Sequence, residues 1–185
     1  PEVMTRGPVH EAYADPVNLE PEAVSLAAPK APPAAIKELP PADRPDGNQY
    51  VWVPGYWAWD GDRANYIWVS ACWRVPPPQM YWVPGYWNPV EGTWQWVPGF
   101  WAPSASRQIE YLPPPPAPIV VEPTIVAPSP DYTWAPPCYY WVDGGYVLRP
   151  GYWIEARPGW VWVPSHTAWT PRGYVFAAGH WDFPV

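Results

Sequence analysis

Over most of the chain, aromatic residues alternate with β-branched or polar ones at a period of two, as in Trp94-Gln95-Trp96-Val97 and Trp160-Val161-Trp162-Val163. This is the spacing of a β-strand, in which residues i and i+2 share a face. Each alternating run ends in Pro-Gly or a variant of it, then resumes with another aromatic pair. The first such unit is Tyr50-Val-Trp52-Val-Pro54-Gly55-Tyr56-Trp57. It recurs with Trp68 and Trp73, with Trp82 and Trp87, and with Trp96 and Trp101. A second set of four is centred on Pro136-Pro137-Cys138, Gly151-Tyr152-Trp153, Trp162-Val-Pro164-Ser165-His166 and Gly179-His180-Trp181. The glycine column falls at 55, 71, 85 and 99, then at 137, 151, 165 and 179, so the repeat length is 14 except for one spacing of 16. Regular self-similarity of this kind marks a repeat array.

The pattern predicts an all-β chain of short antiparallel strands. Turn residues such as Asn65, Gly92, Gly145, Gly159 and Gly173 open the units, and tight turns there fold consecutive strands back on one another. Gly55, Gly85, Gly99, Gly151 and Gly179 mark a kink inside each strand, because proline removes a ladder donor and glycine gives the backbone room to bend. A β-solenoid with Pro-Gly corners is the alternative topology. Cross-strand aromatic pairs then form a ladder from Trp52, Trp57, Trp68, Trp73, Trp82, Trp87, Trp96, Trp101, Trp153, Trp162 and Trp181.

Four regions follow: an extended Pro/Ala-rich arm over 1–49, a first four-repeat array over 50–101, a proline-rich linker over 102–132, and a second four-repeat array over 133–185. The arm and linker favour polyproline II. A short helix over 22–28 is conceivable but would stop at Pro29. The apolar stretch 119–126 has two readings: a strand that adds to a neighbouring subunit, or a spacer on the chain's own surface.

Composition reinforces the unusual character. The 33 Pro and 13 Gly in 185 residues are at the level of low-complexity chains, whereas the 17 Trp and 13 Tyr argue for packed order. The net charge of -7 and the lack of a basic cluster exclude nucleic acid as a partner. No apolar run is long enough to span a bilayer as a helix. The chain begins at Pro1, so a targeting segment removed or absent upstream leaves no trace here.

The motif Trp52-Val-Pro-Gly55-Tyr-Trp57 and its copies resemble the WXXGXW (YXWGXW) repeat family of bacterial exported and cell-surface proteins, over more than half of the chain. The resemblance implies a place in the cell envelope. Ser70-Ala71-Cys72, Pro137-Cys138 and Ser165-His166-Thr167 depart from the motif.

No phosphate loop, nucleophile elbow or metalloprotease motif occurs, so neither catalytic residues nor cofactors are expected. His166 and His180 fall in one column, fourteen residues apart, where two ligands alone make a weak metal site; no metal is expected. Cys72 and Cys138 share that column, and a disulfide is expected between them, within one chain or across two. A single unit cannot bury enough area to offset its ordering, and strands with exposed edges find a remedy in association with other copies. The expected function is a non-catalytic structural protein that self-assembles into an extracellular filament, sheath or envelope layer. The alternative is a carbohydrate- or peptidoglycan-binding module using rows of exposed Trp and Tyr, with cell-wall glycan as partner.

Overall fold

A computed structural model describes residues 3–4, 26–42, 45, 49–105, 108–119 and 123–183. They form an all-β structure of 18 short strands with no helix among the described residues. The arm supplies β1 (Val3–Met4) and β2 (Ala27–Ala28). The first array contains β3 (Val51–Val53), β4 (Tyr56–Asp60), β5 (Asn65–Val69), β6 (Cys72–Arg74), β7 (Met80–Val83), β8 (Tyr86–Val90), β9 (Thr93–Val97) and β10 (Phe100–Pro103). The second contains β11 (Tyr132–Ala135), β12 (Cys138–Val142), β13 (Gly145–Arg149), β14 (Tyr152–Glu155), β15 (Val161–Val163), β16 (His166–Thr170), β17 (Gly173–Ala177) and β18 (His180–Asp182).

These strands are arms of four kinked hairpins, each made from two repeat units. In hairpin 1, β4 pairs antiparallel with β5 at the tip and β3 with β6 at the root. Hairpin 2 joins β8 to β9 and β7 to β10; hairpin 3 joins β12 to β13 and β11 to β14; hairpin 4 joins β16 to β17 and β15 to β18. Both strands bend at the same level. Val53↔Cys72 is the last root pair and Tyr56↔Val69 the first tip pair, leaving Pro54-Gly55 and Ser70-Ala71 facing one another at the corner. The ladders are therefore separate hairpins rather than one continuous meander, and Pro-Gly is a kink within each strand.

The tips explain the repeat spacing. Hairpin 1 turns through four residues, 61–64, with Asp60 Oδ1 accepting from the Asp62 and Arg63 amides at 3.0 and 3.1 Å. Hairpins 2, 3 and 4 turn through two residues, which shortens the column spacing from 16 to 14. In hairpin 3 both turn residues, Asp143 and Gly144, have positive φ (50° and 82°), the backbone of a type I′ turn matched to strand twist. The left-handed positions at the tips include Ala64, Gly92 and Gly144, one residue before or inside the expected turn column at Asn65 and Gly145, which are themselves paired strand residues.

Two apolar clusters hold the hairpins together. Ala28, Trp57, Tyr66 and Trp68, flanked by Trp59, Trp87 and Trp94, join the arm to hairpins 1 and 2. Phe100, Ala102, Val175 and Ala177, with Val83 and Ile109, join hairpin 2 to hairpin 4 across the two arrays. Hairpin 3 meets hairpin 4 where Tyr140 packs on Phe176 at 4.6 Å. The roots of hairpins 1 and 4 are tied by Arg74 Nη1 donating to Asp182 Oδ2 at 2.8 Å, with both side chains largely buried.

The proline-rich segments lie on the chain itself. Ala27–Ala28 adds to the edge of β9, and 29–41 runs on without regular structure, its carbonyls accepting from side chains: Tyr66 Oη donates to Lys30 O at 2.8 Å and Trp57 Nε1 to Ala34 O at 3.1 Å. Of the helix considered over 22–28, residues 22–25 lie outside the described residues and Ala27–Ala28 is a strand. In the linker, Trp153 Nε1 donates to Ile125 O at 2.9 Å, and the described part of 119–126 forms no strand; residues 120–122 lie outside the described residues.

Candidate functional site

The motif acquires its meaning at the corner of each hairpin. Antiparallel register sets the first aromatic of one unit opposite the second aromatic of its partner unit. The resulting edge-on or tilted pairs are Trp52–Trp73 (5.1 Å between ring centres), Trp57–Trp68 (5.1 Å), Trp82–Trp101 (5.2 Å), Trp87–Trp96 (5.4 Å), Trp134–Trp153 (5.2 Å) and Trp162–Trp181 (5.2 Å). Such pairs contribute about 0.5–1.5 kcal/mol each beyond the area they bury. All eleven predicted ladder tryptophans take part, and Trp134, outside that set, completes the sixth pair. The sequence already places Pro137 in the glycine column of this unit, and Trp134 is its first aromatic.

The glycines are required for a different reason from the one their kink suggests. None of Gly55, Gly85, Gly99, Gly151 and Gly179 has positive φ. Instead, the first tryptophan of the partner unit lies on each glycine. A methyl group built on Gly85 would stand 2.6 Å from Trp96 Cζ2 and 2.7 Å from Val97 O; on Gly99, 2.5 Å from Trp82 Cζ2 and 2.8 Å from Val83 O. Trp68 covers Gly55, Trp134 covers Gly151, and Trp162 covers Gly179 in the same way. The motif W-x-x-G-x-W is thus a half-site: its first Trp covers the partner's glycine, its glycine receives the partner's first Trp, and its second Trp closes the pair. Burial of the ring dominates, since the indole N–H groups of Trp68, Trp134 and Trp162 are buried without an acceptor among the described residues.

Where the glycine is replaced, the facing residue changes in two of three hairpins. The first-aromatic position of the partner unit, the one that covers the glycine elsewhere, is Leu148 opposite the Pro137 unit and Phe176 opposite the Ser165 unit, paired with Tyr139 and Thr167, and neither is tryptophan. In hairpin 1, Ala71 faces Trp52, and this corner is held from outside: the Ala71 amide donates to the Glu38 carboxylate of the arm. Glu38 was invisible to repeat reasoning because it lies 33 residues away in the proline-rich arm.

The corner of hairpin 4 is the most polar. Ser165 Oγ accepts from the Gly179 amide at 2.8 Å and meets Tyr140 Oη at 2.9 Å. His166 Nδ1 is 3.0 Å from Pro164 O and His180 Nδ1 is 3.1 Å from Ala178 O, so each imidazole binds the carbonyl two residues before it. A charge on His180 opposes protonation of His166. Desolvation pushes both histidines below the ordinary range; for His180, nearby Arg74 pushes the same way and Asp182 opposes. Both rings therefore favour the neutral form in the fold. The unfolded chain takes up protons near the ordinary pH of about 6.5, and the folded chain only at lower pH. Stability is expected to be flat above that pH and to fall as pH drops from about 6.5 through the lowered folded values. Urea midpoints at pH 7.5 and 5.5 measure this, and His166→Tyr, which restores the residue of the repeat column, should flatten the profile.

No group of three or more His, Cys, Asp or Glu side chains able to hold a metal is found among the described residues. Neither Cys72 nor Cys138 is in a disulfide in this structure, so the expected pairing within one chain is not seen. Repeat pairing accounts for this: Cys72 faces Val53 in hairpin 1, whereas Cys138 faces Arg149 in hairpin 3. Burial raises the Cys138 thiol to about 11, which keeps it protonated and a poor partner for exchange. Beside it, Tyr140, Arg149, Tyr152, Trp162 and Ser165 line a cleft with room for about one water molecule. Arg149 lies over the Tyr152 ring at 4.8 Å and the Tyr140 ring at 5.6 Å.

None of the seventeen tryptophans is exposed. The exposed aromatic residues among those described are Tyr81, Tyr86, Tyr111 and Tyr152. No helix among the described residues is long and apolar enough to cross a membrane.

Comparison with known proteins gives one match and two blanks. The WXXGXW repeat matches residues 50–74, 130–153 and 157–181, in a form that spans two copies of the motif. No curated protein and no solved structure matches. Each matched stretch coincides closely with one kinked hairpin, 1, 3 or 4, and hairpin 2 has the same corner with both glycines and both tryptophan pairs intact. The two-copy repeat is therefore a pair of half-sites closed on each other, and the chain carries the WXXGXW repeat in hairpins 1, 3 and 4.

Proposed function

We propose that this WXXGXW-repeat protein is a non-catalytic structural component of the cell surface, outside the membrane, that assembles with further copies of itself. The observation that carries this reading is the way the aromatic residues are used. Every tryptophan of the motif is occupied in holding its own hairpin together, so the repeat works as an internal adhesive. That leaves no exposed tryptophan row on which a sugar face would stack. The family's usual association with the cell surface supports the location.

A second feature points to assembly. Besides the two apolar clusters between hairpins, extended segments are added to strand edges, as β2 is added to β9. Edge addition works equally well between chains. Sedimentation of the purified chain over a hundredfold concentration range should show concentration-dependent oligomers, with ordered assemblies in negative-stain images. A chain that remains monomeric, and whose tryptophan fluorescence shifts on adding soluble peptidoglycan fragments, would overturn the reading in favour of glycan binding.

A further inference from the structure

The four tips present one equivalent edge. In each tip ladder, alternate residues of the second strand turn their N–H and C=O away from the first strand. Counting from the closing pair, these are Tyr66 and Trp68 in β5, Trp94 and Trp96 in β9, Tyr146 and Leu148 in β13, and Tyr174 and Phe176 in β17.

Three of these edges receive an extended segment of the same chain. β1 pairs parallel with β5, placing Val3 beside Trp68. β2 pairs antiparallel with β9, placing Ala28 beside Trp94, and Leu26 O accepts from the Trp96 amide at 2.9 Å. Leu112 exchanges both backbone bonds with Tyr174, at 2.7 and 3.0 Å. On β13 the corresponding groups of Tyr146 and Leu148 have no such segment among the described residues, and residues 147–149 are exposed, Val147 to 54%.

The chain's own linker comes close and stops. Tyr146 Oη donates to Pro113 O at 2.6 Å, immediately after the Leu112 bridge. Residues 113–116 are all proline and have no N–H, so this run cannot continue as a strand along β13.

The geometry points to β13 as the strand by which two copies join, antiparallel to its own equivalent about a two-fold axis through Val147. This rests on the self-assembly reading and names its interface. The register uses every outward group: Tyr146 N–H and C=O meet those of Leu148 in the second copy, and the reverse. Val147 faces itself, covering the most exposed apolar side chain of the strand, and Tyr146 lies beside Leu148. The one charge in the strand, Arg149, falls opposite Gly145, which has no side chain to oppose it, and diagonal to Asp143 of the other copy. A like-charge clash is avoided and an opposite pair is gained, which favours this register over a slipped one. A self-complementary patch of this kind closes as a dimer rather than growing as a fibre; longer assemblies need a second contact.

Sedimentation equilibrium of the full chain, of Val147→Lys and of Leu148→Pro tests the interface. Val147→Lys sets two ammonium groups against each other across the axis. Leu148→Pro removes an outward donor and leaves the ladder to β12 intact. Each variant that keeps the native near-ultraviolet tryptophan signal is expected to weaken dimerisation at least tenfold. If Leu148→Pro fails to fold, Val147→Lys decides. Folded variants that associate as tightly as the native chain overturn the role of β13 while leaving self-assembly standing; a native chain that is monomeric at every concentration overturns both.

Discussion

Replacing Arg74 with methionine is expected to lower the stability of the chain by about 3–5 kcal/mol, the usual consequence of removing one partner of a buried ion pair. Arg74 is 8% exposed by side chain and Asp182 15%, and their 2.8 Å contact joins the root of hairpin 1 to the root of hairpin 4. Once the guanidinium is gone, the Asp182 carboxylate has lost its ion-pair partner in a poorly solvated place beside His180, where it must either take a proton or pull in water. The loss should show in the urea midpoint at pH 7.5. Because His180 feels both Arg74 and Asp182, its own titration should also shift upward in the variant, which NMR of the imidazole resonances can follow. The double substitution Arg74→Met with Asp182→Leu removes both charges and should recover most of the loss. If Arg74→Met alone is neutral, the ion pair does not tie the two arrays.

The second large effect is expected at the corner glycines. Gly85→Ala should cost about 1–3 kcal/mol, the range for forcing extra volume into a packed site. The new methyl meets Trp96 Cζ2 at 2.6 Å, Val97 O at 2.7 Å and the Gly99 amide nitrogen at 2.8 Å. Two of those three atoms are backbone on the facing strand, and they can move only by opening the corner. Combining it with Trp96→Phe should give a double-mutant coupling energy of opposite sign to the single losses, because the smaller ring leaves room for the methyl. The units that carry Ser165 and Pro137 in place of the glycine are paired with units that carry Phe176 and Leu148 in place of the covering tryptophan. Gly61→Ala is the control. Nothing lies within 4 Å of a methyl there and the backbone is not left-handed, so it should be neutral or stabilise by up to about 1 kcal/mol. Equal effects of alanine at positions 61 and 85 in chemical denaturation would remove the packing explanation of the motif.

These results recast the histidines and cysteines that stand out in the sequence. They occupy the column between the glycine and the second aromatic, whose other members are Tyr56, Tyr86, Phe100 and Tyr152. His166 and His180 do come together, because their two units form one hairpin. Cys72 and Cys138 do not, because their units belong to different hairpins. Column identity predicts equivalent environments; it predicts contact only between units that pair. Which units pair is set by turn geometry, and the single spacing of 16 is its one trace in the sequence: a four-residue tip at 61–64 where the other tips use two residues.

Local chemistry alone determined the strands, the kink and the aromatic pairing, since period-two alternation, proline and glycine act within a few residues and need no distant partner. The sequence also placed the repeat family. Tertiary structure decided the rest. That glycine is needed for the indole facing it, rather than for its backbone freedom, depends on cross-strand register. That Glu38 holds the Ala71 corner, that Arg74 reaches Asp182 across 108 residues, and that the arm and linker fill strand edges at β9 and β17 depend on long-range closure. Such contacts leave no periodic signal, because each is made once, by residues whose types are common and whose partners are fixed only when the four hairpins pack.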